Sequence, residues 1–345
     1  MQSSKLKYLA IVFVLPLVIC FSACGQKQNF DSWNPNTESL NTLKAYVEDV
    51  TREGSSNFIP KEDRIVVSDM DGTIYGEKAP LYIDCLVYVH RVLYDNTYTP
   101  KDQHMIDLAH RVEECFKTHE LDKLTDPVIC AEWQIPFAGM SIEDYEKYCS
   151  DFLKNPVEGF NNVSYKDFFY KPMLEVIDYL LQNDFQFYIV TGTDRSLSRI
   201  LLKDKVNIQP VNVLGTDNVI KYSGNDKLDN EYYVYKFNDV AYRTENAIFK
   251  DSNTNKVDRI KREIGKQPVL VFGNTSGDES MATYVTSNNK YKTLACFVLQ
   301  NDNVRDNCSL EKAEKNKANW EKKGWTIFSM KDDWKTIYGG NVEKR

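Results

Sequence analysis

Apolar, β-branched runs alternate with segments of helical periodicity along the chain. Arg64-Ile65-Val66-Val67-Ser68, Phe185–Val190 and Pro268–Phe272 have the pattern of strands buried on both faces. Thr293–Leu299 and Trp325–Met330 predict two later strands. Between them, apolar residues recur every three or four positions: Leu40, Leu43, Val47 and Val50 within Thr37–Thr51; Met105, Leu108, Ala109, Val112, Cys115 and Phe116; Met173, Ile177 and Leu180 after Pro172; and Val257, Ile260 and Ile264 within Lys256–Ile264. Residues 209–250, including Tyr232–Tyr235, predict irregular strands and turns. This alternation predicts an α/β fold, a doubly wound parallel sheet. From Glu77 to Phe169 no strong core strand occurs, and a stretch far longer than an ordinary βα loop predicts a mainly helical cap inserted after the first strand. The expected boundaries are 61–76 and 170–345 for the core and 77–169 for the cap.

The N-terminus changes this picture. Lys5 and Lys7 precede an apolar run from Tyr8 to Phe21, which leads into Ser22-Ala23-Cys24. The run is short for a transmembrane span, and a plain signal peptide or a short membrane helix is the simpler reading. The segment resembles a bacterial lipoprotein signal, residues 1–23. That resemblance implies cleavage before Cys24, lipidation of its thiol and an exported, membrane-anchored protein, periplasmic or on the cell surface. Residues 24–60 are expected to form a tether and an N-terminal helix. Net charge is −7 with no basic block, which argues against nucleic acid as a partner. Cys85, Cys115, Cys130, Cys149, Cys296 and Cys308 show no metal-like spacing, and either pairing or buried thiols fit them. The four His residues, 90, 104, 110 and 119, all fall in the expected cap, so histidine chemistry in the core is disfavoured.

Three strands end in polar residues. The first delivers Asp69-Met70-Asp71-Gly72-Thr73, a pair of carboxylates one residue apart. The second delivers Thr191-Gly192-Thr193-Asp194-Arg195 at a helix entrance, where backbone N–H groups favour an anion. The third delivers Gly273-Asn274-Thr275-Ser276-Gly277-Asp278, with hard oxygen ligands, and Lys256 lies upstream. In a doubly wound sheet such ends converge on one crevice. A carboxylate nucleophile, a second carboxyl for proton transfer, an oxygen-lined cation site and a phosphate cradle are the parts that phosphoryl transfer requires.

Asp69-Met70-Asp71-Gly72-Thr73, Thr191, Lys256 and Gly273–Asp278 resemble, in order, the four motifs of the haloacid dehalogenase-like (HAD) superfamily. The segment from Lys256 to Asp278 is most similar to its phosphoserine-phosphatase-like branch, whose exported members include phosphorylcholine phosphatases. The resemblance covers roughly Arg64–Gly339. It implies Asp69 as the nucleophile that forms an aspartyl-phosphate and Asp71 as the general acid and base. It implies Thr191, Gly192 and Lys256 as phosphate-binding groups, and Mg²⁺ held by Asp69, the Asp71 carbonyl and Asn274 or Asp278. Asn274 departs from the pattern, because many relatives have Asp there. Glu77 is a substrate-facing candidate or a plain surface residue. The implied activity is hydrolysis of a small phosphorylated metabolite, phosphoserine- or phosphocholine-like.

Each of these residues also has a simpler reading. Thr191 would serve equally as a helix cap, and Lys250 and Lys261 compete with Lys256. The aromatic residues of the insert, Tyr82, Tyr88, Tyr94, Tyr98, Trp133, Phe137, Tyr145, Phe160, Phe168 and Phe169, suit the insert's own core or a cage for a quaternary ammonium. Rival functions are a phosphomutase, or a non-catalytic surface lipoprotein binding a phosphorylated ligand or partner. A dehalogenase would need neither Asp71 nor a metal site, and a P-type ATPase would need spanning helices.

Overall fold

The computed structural model describes residues 29–76, 82–118, 132–225, 227, 229–248 and 250–345. Glu77, Cys24 and residues 1–23, where the lipoprotein signal is expected, lie outside the described residues. No helix among the described residues is long and apolar enough to cross a membrane.

In chain order the elements are α1 (Glu38–Thr51), β1 (Ile65–Ser68), α2 (Ile83–Val89), α3 (Gln103–Thr118), α4 (Ile142–Phe152), β2 (Phe160–Asn161), α5 (Lys171–Gln182), β3 (Gln186–Asp194), α6 (Arg195–Leu202) and β4 (Val213–Thr216). Then follow β5 (Asn218–Tyr222), β6 (Ala241–Ala247), α7 (Thr254–Arg259), β7 (Leu270–Gly273), α8 (Glu279–Thr286), β8 (Leu294–Leu299), α9 (Leu310–Lys322), β9 (Thr326–Ser329) and β10 (Glu343–Lys344). The central sheet has the order β4-β3-β1-β7-β8-β9, with every pairing parallel. The fold is therefore the expected doubly wound α/β type.

Alternation along the strands loads both faces of the sheet. Val66, Phe187, Ile189, Leu270 and Phe272 join one apolar cluster, which α1, α5 and α6 cover. Val67, Val190, Val271 and Phe297 join the other, under α8 and α9. The chain adds β3 and β4 on one side of β1, then crosses to add β7, β8 and β9 on the other. The point where the strand order reverses lies beside β1, and that is where ligands bind in open α/β sheets.

The structure corrects the reading of two segments. Residues 29–36 are not a tether. Trp33 is buried, its indole N–H donates to the Pro172 carbonyl at 3.1 Å, and its backbone bridges Trp334. Residues 209–250 contain a core strand, β4, and an antiparallel hairpin, β5–β6, whereas Tyr232–Tyr235 form no strand and Tyr232 and Tyr235 are exposed. The hairpin attaches to the insert: Gly139 N–H donates to the Arg243 carbonyl and Arg243 N–H to the Met140 carbonyl, each at 2.9 Å.

The insert's described elements are mainly helical. Its two stems return side by side, with Gly76 N–H on the Phe168 carbonyl and Tyr170 N–H on the Ile74 carbonyl, each at 3.0 Å. Of its aromatic residues, Tyr88, Trp133, Phe137, Tyr145, Phe160, Phe168 and Phe169 are buried and pack on one another, as in the Phe137–Tyr145 edge contact at 5.1 Å. They form the insert's core, and the cage reading loses them. No disulfide joins the described cysteines.

Candidate active site

Register explains why the three polar strand ends meet. Ser68 aligns with Ile189 of β3 and Phe272 of β7, so β1 lies between the two other motif-bearing strands, and Asp69, Thr191 and Asn274 each follow within two residues of this level. Asp69 follows Ser68 directly, and its N–H still donates to the Phe272 carbonyl at 3.0 Å. After Asp69 the chain turns sharply. Gly72, at φ +75°, takes the left-handed conformation there and donates to the Tyr75 carbonyl at 2.6 Å.

Four charged side chains converge beneath this turn. Lys256 Nζ donates to Asp69 Oδ1 at 2.5 Å and to Asp278 Oδ1 at 2.7 Å, and all three residues are buried. Asp71 is also buried; its Oδ2 accepts from Thr193 Oγ1 at 2.7 Å and from Thr191 Oγ1 at 3.4 Å. Burial first, then the Asp278 carboxylate, push the Asp69 carboxyl well above the usual range, with Lys256 opposing them. Burial works to lower the pKa of the Lys256 ammonium, but Asp278 and Asp69 outweigh it and hold the lysine charged. Of the competing lysines, Lys261 lies over the Tyr284 ring, whereas Lys250 packs against Gly192, where a Cβ on that glycine would come within 3.2 Å of its Cε.

The loop after β7 is held by Asp278. Its Oδ2 accepts from the N–H groups of Asn274 at 3.0 Å and Thr275 at 3.1 Å, while Oδ1 takes Lys256. Gly273 makes this possible, because a Cβ there would stand 2.6 Å from the Asp278 Cβ. Asn274 turns its oxygen the other way. Thr73 Oγ1 lies 3.3 Å from Asn274 Oδ1 and 3.5 Å from Asp69 Oδ2, so one hydroxyl touches both oxygens.

Among the described residues, no group of three His, Cys, Asp or Glu side chains is arranged to hold a metal by itself. The donor chemistry nevertheless fits a hard divalent cation. Two buried carboxylates, Asp69 and Asp278, share a single ammonium, a third, Asp71, is buried two residues on, and the oxygens of Asp69 and Asn274 share one polar contact. Asp278, committed to Lys256 and the loop, is the worse placed of the two third-strand candidates.

The sequence reading assigned no role to three residues here. Thr193 makes the shorter of the two hydroxyl contacts to Asp71. Thr73 links Asp69 with Asn274. Asp194 caps α6 by accepting from Leu197 N–H at 2.9 Å and pairs with Arg243 at 3.0 Å. All three lie inside motifs already singled out, but only strand register shows what their side chains touch.

No protein-family model and no curated protein matches the sequence. Among solved structures, the chain is similar to a conserved functionally unknown protein from Anaerococcus prevotii DSM 20548, at 14% identity over 85% of this chain and 92% of that one, with a TM-score of 0.50. It is also similar to a cytosolic 5'-nucleotidase IIIB bound to cytidine, at 10% identity over 87% of this chain and 88% of that one, TM-score 0.43. A third is a phosphoserine phosphohydrolase-like protein from Francisella tularensis subsp. tularensis SCHU S4, at 13% identity over 68% and 87%, TM-score 0.37. At such identities the likeness is one of fold. The sheet order, with the motifs at the ends of adjacent strands, is the doubly wound parallel α/β arrangement expected from the sequence pattern.

Proposed function

We propose that the protein is a Mg²⁺-dependent phosphomonoester hydrolase of the HAD type, acting on a small phosphorylated metabolite. The observation that carries this reading is the pairing at the end of β1. Asp69 is bound by a buried ammonium, and two residues on Asp71 is bound by two threonine hydroxyls. A binding protein would need neither a nucleophile nor a proton carrier beside it.

In this reading an Asp69 oxygen attacks phosphorus, the P–O bond to the leaving group breaks, and the aspartyl-phosphate forms. Asp71 gives its proton to the leaving alkoxide. It then takes one from the water that attacks the aspartyl-phosphate, so Asp69 is released with inorganic phosphate. Thr191 and the Gly192 N–H hold phosphoryl oxygens, and Lys256 offsets negative charge as it develops. Asp69, the Asp71 carbonyl and Asn274 would hold Mg²⁺. When bound, the cation would neutralise the phosphoryl oxygens and align them with the nucleophile. The helical insert and the β5–β6 hairpin would cover the crevice and exclude water, and lipid on Cys24 would hold the body at a membrane surface.

The test is phosphate release from p-nitrophenyl phosphate, with Mg²⁺ and with EDTA. Release that needs Mg²⁺ and falls by roughly 10³-fold or more in Asp69→Asn is the expected result. Mg²⁺-independent release, or an unaffected Asp69→Asn, overturns the reading. A panel with phosphoserine and phosphocholine then places the substrate.

A further inference from the structure

An amide in a position that must present an oxygen carries a risk that a carboxylate does not. Its oxygen and nitrogen have nearly the same shape, and a half-turn about the last bond exchanges an acceptor for a donor. Asn274 is 2% exposed, so bulk water does not select its orientation. We infer that Gln300, Tyr170 and Asp306 form a one-way hydrogen-bond relay that fixes the Asn274 amide with its oxygen toward Asp69.

The relay begins at a buried acceptor. Asp306 is 1% exposed, and as a carboxylate it can only accept. Its Oδ1 accepts from Tyr338 Oη at 2.8 Å and from the Asn307 N–H at 2.8 Å, and its Oδ2 accepts from Tyr170 Oη at 3.3 Å. Because Tyr170 spends its proton on Asp306, it meets Gln300 through a lone pair, and Gln300 Nε2 donates to it at 3.4 Å. With its NH₂ so used, Gln300 presents Oε1 to Asn274, whose Nδ2 donates at 3.4 Å. The Asn274 oxygen is thereby left on the opposite side, where Thr73 Oγ1 meets it at 3.3 Å. Each link sets the direction of the next, as in cooperative chains of buried polar groups.

The positions suit this task. Gln300 follows the last residue of β8, Tyr170 precedes the first residue of α5, and Asp306 lies in the loop before α9. Three separate elements thus bring side chains to one line ending at a proposed ligand. Residues that orient ligands from behind typically alter metal affinity by about 10–100-fold when replaced. The role of the cation rests on the proposed phosphatase reading, but the orientation of the amide does not. Gln300 and Tyr170 are positioning residues, since each is argued to act through Asn274.

Asn274→Asp supplies the control, because a carboxylate presents an oxygen in either orientation. Gln300→Leu and Tyr170→Phe are made in the native chain and in Asn274→Asp. Mn²⁺ affinity is read by electron paramagnetic resonance, and cross-relaxation of the Asn274 Nδ2 protons by NMR in metal-free protein. In the native background, each substitution is expected to weaken Mn²⁺ binding about tenfold. Cross-peaks from the Asn274 amide protons to Thr73 should also grow in. In Asn274→Asp the same substitutions should change Mn²⁺ affinity less than about twofold, a coupling that packing alone would not produce. Equal weakening in both backgrounds, or an amide that keeps its orientation in Tyr170→Phe and Gln300→Leu, overturns the relay. A flipped amide in a chain that binds no Mn²⁺ leaves the relay standing and overturns the Mg²⁺-dependent reading instead.

Discussion

Thr193 and Thr191 differ in what they do for Asp71, although the chain places them two residues apart. Thr193 Oγ1 is 2.7 Å from Asp71 Oδ2, whereas Thr191 Oγ1 is 3.4 Å away and also accepts the Thr193 N–H at 3.1 Å. In the proposed mechanism Thr193 would therefore aim Asp71, and Thr191 would turn toward a phosphoryl oxygen. Steady-state kinetics should separate them. Thr193→Val is expected to lower kcat about tenfold with little change in KM, and Thr193→Ser to restore it. Thr191→Val should act mainly on KM. A second residue-scale prediction concerns Asp306, whose carboxyl is pushed by burial from 3.8 to about 6. A raised folded-state pKa means the native state holds this proton more tightly than the unfolded chain. Its stabilising effect is complete below about pH 4 and is lost as pH rises through 6, a swing of about 3 kcal/mol. Asp251, also pushed to about 6 by burial, adds a slope of the same sign. Urea titrations from pH 4 to 7 should show a shallower fall in stability for Asp306→Asn than for the native chain, with the slope from Asp251 remaining.

Elements were legible where burial is two-sided. β1, β3 and β7 appear in the sequence as apolar runs because helices cover both faces of the sheet, and the site residues follow from where those runs stop. β4 was not, because Val213-Leu214-Gly215-Thr216 has only two large apolar residues, and the hairpin beyond it is mostly half-exposed. Asp69, Asp71, Thr191, Lys256, Asn274 and Asp278 could be named from motif order. Thr73, Thr193 and Gln300 could not be given partners, because their contacts depend on register between strands distant in sequence. The β7–α8 turn gives a prediction at this scale. Gly273→Ala would set a Cβ 2.6 Å from the Asp278 Cβ and 3.0 Å from its Cγ, with no room to relax inside a buried loop. Displacing Asp278 releases the N–H groups of Asn274 and Thr275 and one of the two anchors of Lys256. Activity should fall about 100-fold, with a loss of about 1–3 kcal/mol in thermal stability. A variant with native activity would mean that the loop does not depend on this close approach.

At the scale of the molecule, the insert is fastened to the sheet domain by more than its stems. β10 pairs antiparallel with β2 of the insert, Asn162 Nδ2 donates to the Asn341 carbonyl at 2.8 Å, and Arg345 N–H donates to the Gly159 carbonyl at 2.8 Å. The ring of Tyr338 stacks on Phe168 at 4.0 Å, while Lys344 Nζ reaches back to the Asp306 carbonyl at 2.8 Å. The C-terminal segment is thus a strap that holds the base of the insert against the loops behind the crevice. Deleting residues 341–345 removes the outer half of that strap and leaves Tyr338 in place. Net hydrogen bonds at partly exposed positions contribute about 0.5–1.5 kcal/mol each, so the deletion should lower stability by about 2 kcal/mol. The loss should be local. Hydrogen exchange is expected to quicken in residues 157–168 of the insert, while amides of β1, β3 and β7 keep their protection, because sub-global opening follows the units that lose contacts. Uniform quickening across the sheet would instead show that insert and sheet unfold as one body, and that the strap belongs to the core rather than to a cover able to move over the crevice.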